Sequence, residues 1–393
     1  MGKDILILDE LNTSASLAIM RNLGRKGLSV DIICPKGHIA SYSKYCSKRI
    51  YYSYSSGEKK DEYVNLLLQV VRSKKYVTLY VCEDHLMEIV YGNIGKIKKY
   101  VNVVSPENTL SNIAFNKRES YQYIKNLGVP IPDTIFPKDR NDIFPLKEKV
   151  KFPLVVKGEK GTASLFVRYA NDFNQLLESY KELSELENSY GGKPMVQEYL
   201  NGDGYLVHAF CSKGKVLSIC IHKKLHQIPV NGGITSKGIT VGHEELEEYT
   251  VKILENLSWL GLIKMDFILD RNDNKFKFIE MDPRVSASID IVRCAGVDMM
   301  WMAWKLAMDE DVKPNLSFKK GIKYTWILPK ELLYIFAKPQ IMFELISSFF
   351  NKDEFFNLQM TDPFPDVKNF IDTLEIIFKN LFKKKLWRGE IKL

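Results

Sequence analysis

Two spacings of apolar residues alternate along this chain of 393 residues. Short unbroken apolar runs at Asp4–Asp9, Leu28–Cys34, Tyr76–Cys82 and Val101–Val104 read as strands. Between the first two, Ser14–Arg25 repeats at helical spacing after the cap candidates Asn12, Thr13 and Ser14. Strands alternating with helices over residues 1 to about 110 predict a parallel sheet with helices on its faces. The first strand-to-helix turn, from Asp9 to Ser14, has no glycine. A dinucleotide fingerprint needs GxGxxG at that place, so the turn argues against one.

After Pro106 the spacing predicts a helix over Asn108–Leu127, ended by Gly128 and Pro130. A strand over Phe152–Lys157 runs into a loop of small residues, Gly158–Ser164. Then follow a helix over Asp172–Leu186, a strand over Met195–Leu200, and strands Tyr205–Cys211 and Lys215–Lys223 joined by a turn at Lys213 and Gly214. Pro229–Gly238 reads as a second glycine-rich loop, and Glu244–Trp259 as a helix. The runs Ile263–Ile268 and Phe278–Asp282 form a hairpin across the turn formers Asp270–Asn274. A helix over Ala287–Met308 leads to a linker at Asp311–Ser317. Near the end Val367, Phe370, Ile371, Leu374, Phe378, Leu381 and Phe382 recur at helical spacing, before a basic run reaching Lys385 and Arg388.

The hairpin carries the chemistry. Glu280 and Asp282 share one strand face because side chains alternate with period two, and Asp266 on the partner strand can reach that face. Three converging carboxylates repel by about 4 kcal/mol per pair at 4 Å and an effective dielectric near 20. Magnesium with a polyphosphate is the usual reason for such a cluster, because the ion takes a few carboxylate oxygens plus phosphates. The alternative for Glu280 and Asp282 is a charged solvent-facing strand edge.

Composition narrows the classes. At 45% hydrophobic and 26% charged, the chain is that of an ordinary globular protein. No run approaches about 18 apolar residues, so no transmembrane helix is expected. The start reads as a strand rather than a signal peptide, and the six cysteines form no CxxC pair; reduced thiols and a cytoplasmic location are expected. The net charge of +8 suits phosphate ligands or an anionic membrane surface as well as nucleic acid. No zinc spacing or RNA-binding aromatic motif supports the last, so no nucleic-acid partner is expected. His222 and His226 lie on a strand pattern, where their spacing does not suit a zinc pair. The Trp301, Met302 and Trp304 group reads as core.

Three motifs in order give the chain a family likeness: Pro153-x-Val-Val-Lys157, Glu198-Tyr-Leu-x-Gly202 and Glu280-x-Asp282-Pro-Arg284. With Lys117 early in a helix, they resemble the ATP-grasp superfamily, most closely its carboxylate–amine ligase branch. The resemblance implies an α/β and α+β chain. Residues 1–110 would be a parallel-sheet pre-ATP-grasp domain and 111–315 the two-subdomain ATP-grasp fold. Within the latter, about 125–197 would bear the lid and 198–315 the metal. Residues 316–393 would be a mostly helical, amphipathic extension.

By the same resemblance, Lys117 and Lys157 would contact the phosphates of ATP as point charges. Gly161, Thr162 and Ser164 belong to the lid. Gln197, Glu198, Tyr199 and Leu200 would hold the adenine, and Asp203 the ribose, although Asp203 between glycines is also a natural turn residue. Asp266, Glu280 and Asp282 would bind one or two Mg²⁺ ions, with Mn²⁺ as a substitute. Lys264 and Arg284 would stabilise transferring charge, and Arg293 with the Gly232–Ser236 loop would hold the acceptor. Three features depart from the family pattern: Asp282 stands where asparagine is common, Lys264 where arginine is common, and the lid has fewer paired glycines.

The implied reaction is phosphorylation of a carboxylate to an acyl phosphate, then attack by an amine, giving an amide, ADP and phosphate. The expected partners are ATP and carboxylate and amine substrates, small molecules or glycan precursors. The basic C-terminal helix reads as a docked element or as a peripheral membrane contact. Rival readings are ATP-grasp carboxylation or kinase-type chemistry, and a non-catalytic ATP-binding protein. An unrelated P-loop transferase is disfavoured because no GxxxxGK[ST] occurs.

Overall fold

The computed structural model describes residues 4–11, 14–53, 59–106, 108–161, 166–187, 191–230 and 232–391. The chain forms two compact units. The first comprises Met1–Ser111, Val207–Lys264 and Asp282–Ile391, and the second comprises Asn112–Leu206 and Met265–Met281.

In the first unit, β1 (Asp4–Leu8), β2 (Ser29–Cys34), β3 (Cys46–Tyr51) and β4 (Tyr76–Val81) form a parallel sheet in the order β3-β2-β1-β4. Ile5, Leu6, Ile7 and Leu8 are all fully buried. A strand covered on both faces must be apolar throughout rather than alternating, which is why β1 reads so plainly in the sequence. The helix Ser14–Arg25 buries Leu17, Ile19, Met20 and Leu23 in the same core as Val292, Trp304 and Trp326.

Several expectations need correction here. β3 was not expected: Ser47, Lys48 and Arg49 are exposed on this edge strand, so it lacks an apolar run. Val101–Val104 is not a strand; only Asn102 pairs with Thr78. The helix expected over Ala287–Met308 is two, Ile289–Cys294 and Met299–Ala307. Gly296 between them has φ +93°, and the Asp298 side chain accepts from the Trp301 N–H to start the second. Trp301 stacks on Trp304 at 4.5 Å as part of the core.

In the second unit, β5 (Thr134–Ile135), β6 (Leu154–Gly158), β7 (Val167–Ala170) and β8 (Pro194–Glu198) form an antiparallel sheet in the order β5-β8-β6-β7. The helix Phe173–Glu185, capped by Asp172, packs Leu176, Tyr180 and Leu183 against Leu154, Val156 and Val196. The expected Asn108–Leu127 helix is also two, Asn108–Phe115 and Lys117–Asn126, divided at Asn116.

The later strands are β9 (Gly202–Ser212), β10 (Lys215–Ile228), β11 (Ile234–Thr240), β12 (Gly261–Asp270), β13 (Lys275–Asp282), β14 (Lys323–Thr325) and β15 (Glu354–Phe356). The first unit sets residues 207–212 of β9 beside β10, then β11, β14 and β15 in that order. The second unit holds residues 202–206, 265–270 and 275–281, ordered β13-β12-β9. β9 and β10 turn through Lys213 and Gly214, with φ of 51° and 70°, the positive pair that a two-residue hairpin turn needs.

Two further corrections concern the first unit. Much of the expected loop Pro229–Gly238 is strand β11. There Lys237 is buried, 2.7 Å from Glu354 and 3.0 Å from Glu344. Asp311–Ser317 is not a free linker, because the Asn315 N–H donates to the Leu217 carbonyl at 2.7 Å. The following residues supply β14 and β15, then the helix Phe364–Asn380. Among the described residues no helix is long and apolar enough to cross a membrane. None of the six cysteines is joined in a disulfide.

Candidate functional site

The second unit gathers most of the expected nucleotide residues. Asn116 caps the helix Lys117–Asn126 by accepting from the N–H groups of Arg118 and Glu119, which fixes Lys117 in the first turn. The Lys117 N–H donates to the Glu159 carbonyl at 3.0 Å, tying this helix start to the segment just after β6. Lys117 Nζ then lies 3.1 Å from the Gly161 carbonyl and 3.5 Å from Glu280 Oε2. Gly161 has φ +107°, and a Cβ there would meet the Phe166 ring at 2.7 Å. Thr162 and Ser164 lie outside the described residues.

Lys157 is the last but one residue of β6, with its side chain buried. Its Nζ donates to the Tyr121 hydroxyl at 2.9 Å, and that hydroxyl donates to the Ile279 carbonyl at 2.8 Å. Gln197 Nε2 donates to the same hydroxyl at 3.1 Å and to Thr134 Oγ1 at 2.8 Å. Burial pulls the Lys157 ammonium down from 10.5 to about 8, against the opposing pull of the Glu280 and Asp266 carboxylates. Tyr121 was missed in the sequence. Its signal was its place four residues after Lys117, on the same helix face.

The segment after β8 is placed by its own contacts. Glu198 Oε1 accepts from Lys277 Nζ at 2.9 Å and from the Asp133 N–H at 2.9 Å, so its carboxylate is committed to structure. Lys277, also unforeseen, bonds Asp270 at 3.0 Å as well. Tyr199 is exposed and meets Tyr169 edge-on, while Leu200 is buried. Asp203 pairs with Arg271 at 2.9 Å, but both side chains are open to solvent and the pair contributes little. Gly202 admits no side chain: a Cβ would stand 1.9 Å from the Leu269 carbonyl oxygen.

The first unit holds the other charged residues. Lys264 Nζ is 2.7 Å from Asp282 Oδ2, and Arg284 reaches the same oxygen at 3.3 Å. Arg284 Nε also donates to Asp84 Oδ1 at 2.6 Å. Asp84 follows Glu83 at the end of β4, next to a buried group that the sequence reading passed over. Glu83 Oε1 accepts from the N–H groups of Glu10 and Leu11, and His38 Nε2 is 3.3 Å from Asp9. Burial and the neighbouring Asp9 carboxylate push the Glu83 carboxyl up to about 10. The apolar run of β4 followed by two acids was the available signal.

Arg293 is placed differently from expectation. It stands near the end of a six-residue helix rather than three turns into a long one, and it pairs with Asp290 at 3.2 Å. Of the Gly232–Ser236 loop, residues from Ile234 onward are strand. His222 is buried against His208 in a stacked pair at 5.3 Å, and His226 bonds Glu331 at 2.6 Å.

Among the described residues no group of three or more His, Cys, Asp or Glu side chains is gathered to hold a metal. In the second unit Asp266 and Glu280 therefore form no closed cage, Glu280 being paired with Lys117; in the first unit Asp282 is paired with Lys264. A pair of carboxylates such as Asp266 and Glu280 still fits magnesium, which is ordinarily held by one or two carboxylates with the rest of its shell from phosphate and water.

Comparison with known proteins bears on the fold. Residues 114–288 match a family described as the ATP-grasp domain. The large chain of carbamoyl phosphate synthase from Thermoanaerobacter is 22% identical over 236 residues, covering 58% of this chain and 22% of that one. This chain thus spans about a fifth of that relative's length. Among solved structures, the Campylobacter jejuni biotin carboxylase in complex with β-γ-ATP aligns with a TM-score of 0.68 at 16% identity, over 82% of this chain and 74% of that one. L-amino acid ligase from Bacillus licheniformis aligns with a TM-score of 0.61 at 16% identity, over 80% and 75%. At these identities the structural likeness establishes the fold.

Proposed function

From the premise that residues 114–288 are an ATP-grasp domain, we propose that this chain is an ADP-forming carboxylate–amine ligase. A substrate carboxylate oxygen attacks the γ-phosphorus of ATP and ADP departs, leaving an acyl phosphate. An amine nitrogen then attacks the acyl carbon, phosphate leaves, and the nitrogen loses a proton as the amide forms. No protein nucleophile is needed; positioning and charge neutralisation suffice.

The observation that carries this reading is Lys157: a buried ammonium at a strand end, hydrogen-bonded to Tyr121 and facing the charge of Glu280 and Asp266. Lys117 and Lys157 bind the phosphates. Backbone groups of Gln197–Leu200 hold the adenine, consistent with the Glu198 side chain being occupied elsewhere, and Asp203 serves the ribose. Asp266, Glu280 and Asp282 hold Mg²⁺, which when bound neutralises charge on the phosphate oxygens. Lys264 and Arg284 orient and balance Asp282, with the role of stabilising the transferring charge, and Arg293 binds the acceptor carboxylate.

A second reading has one observation in its favour: the matched relative is a carbamoyl phosphate synthase chain. In that case bicarbonate is the phosphoryl acceptor. One experiment separates the two. Phosphate release from Mg-ATP is measured with bicarbonate alone, then with pooled carboxylic acids and amines, using Lys157→Ala as blank. The ligase reading requires release that depends on both an acid and an amine. Release with bicarbonate alone would favour the second reading, and a protein indifferent to ATP in every mixture would end both.

A further inference from the structure

The helix Phe364–Asn380 is docked the opposite way from its hydrophobic pattern. Its buried positions are Pro365, Asn369, Thr373 and Ile377, spaced by four. That inward stripe is part polar and part apolar: Asn369 Nδ2 donates to the Leu328 carbonyl at 3.1 Å, and Ile377 packs with Ile228, Leu333 and Leu386, while the neighbouring Asp366 pairs with Arg21 at 2.9 Å. At about 100° per residue the stripe of Phe364, Val367, Ile371 and Phe378 points to the other side. These residues are 67%, 54%, 48% and 70% exposed, and Phe382 beyond them is 95% exposed. An apolar row of this size left in water is the mark of an interaction surface.

The charge beside the row indicates what covers it. Lys379 pairs with Glu375 at 3.4 Å, and beyond it, between Glu375 and Glu390, come Lys383, Lys384, Lys385 and Arg388 with no acid among them. Trp387, half exposed, lies within the same run. Aromatic residues that protrude singly among cations need no complementary pocket; they suit a fluid layer with an anionic surface. Trp and Lys at such a boundary take the headgroup level.

We propose that this helix face and the basic run after it form a docking surface for an anionic phospholipid bilayer, on which the chain lies peripherally. The attachment places the chain at a membrane surface; among the described residues no helix is long and apolar enough to cross one. It is independent of nucleotide chemistry, since none of its residues belongs to the candidate site.

The test uses the full chain and sedimentation with vesicles of phosphatidylcholine, with and without phosphatidylglycerol. The chain should bind the anionic vesicles and release in high salt, because the lysine attraction falls off within a Debye length. Replacing Lys383, Lys384 and Lys385 together by Gln should weaken partition at least about tenfold. Phe378→Ser with Phe382→Ser should weaken it on the same vesicles. Both variants should keep the wild-type melting temperature, since the changed side chains are exposed. Failure of the wild type to bind anionic vesicles overturns the proposal, as does binding unchanged in both variants. Self-association abolished by the Phe changes, without vesicle binding, would assign the face to a second copy of this chain and equally overturn it.

Discussion

Lys157 combines burial, a hydroxyl partner in Tyr121 and two nearby carboxylates, and its protonation is therefore sensitive to both pH and ligand. Its ammonium is held at about 8, below the ordinary 10.5, first by burial. Between those values the unfolded chain carries the proton and the folded chain does not. Stability from this group therefore rises with pH across that window, and the full cost of the buried charge is present below about 8. Bound phosphate would favour the charged form, so nucleotide binding should take up a proton above pH 8 and weaken as pH climbs further. Lys157→Met should lower ATP affinity by roughly 10- to 100-fold, the range for a lost charge-assisted hydrogen bond of about 1.5–3 kcal/mol. The same variant should be no less stable than wild type without nucleotide, because it removes a desolvated charge. Titration calorimetry at two pH values and melting curves with and without ATP check both statements. A variant that melts early yet binds ATP normally would reduce Lys157 to a packing role.

At the scale of elements, the strands that position the site were legible because burial on both faces makes them continuous apolar runs. Asp4–Asp9, Phe152–Lys157 and the 263–282 hairpin are found close to where the pattern put them. The helix breaks were not legible from periodicity. Asn116 and Asp298 interrupt apolar spacing that continues on either side, and only their cap hydrogen bonds reveal the new start. Motif residues could be read, but not their partners: Tyr121, Lys277 and Asp84 are set by tertiary contact, and single lysines, acids and tyrosines carry no pattern. Gly202 shows the reverse case, a motif residue with a steric reason. A methyl group there would sit 1.9 Å from the Leu269 carbonyl oxygen, and backbone rather than a flexible side chain would have to move. Gly202→Ala should therefore cost about 1–3 kcal/mol, the usual range for overpacking. Amide exchange should quicken in residues 265–270 before it does in β6. Equal protection in Gly202→Ala and wild type would show that β9 and β12 have more freedom than this contact allows.

At the scale of the molecule, the first unit draws its sheets and core from three separated stretches of chain, and buried ion pairs join the ends of that chain. Arg21, on the first helix, bonds Asp362 at 3.0 Å with both side chains almost wholly buried, and it also donates to the Asn357 and Asp362 carbonyls. Asp362 accepts in addition from the Ser43 hydroxyl and the Lys44 N–H. A buried pair is weak as a net stabiliser, yet removing one partner leaves the other charge desolvated, typically at about 3–5 kcal/mol. Arg21→Met and Asp362→Leu should each destabilise by that amount. The double variant should destabilise by clearly less than their sum, because neither member of this pair is then left buried without the other; Asp366, which also pairs with Arg21 at 2.9 Å, keeps a residual cost. Denaturant unfolding of the four proteins measures the coupling. Phosphate release per folded molecule should remain unchanged, since neither residue touches the candidate site. Additive losses would mean that Arg21 and Asp362 stabilise the fold through separate partners, and that the N-terminal helix and the C-terminal segment fold without this pair holding them in register.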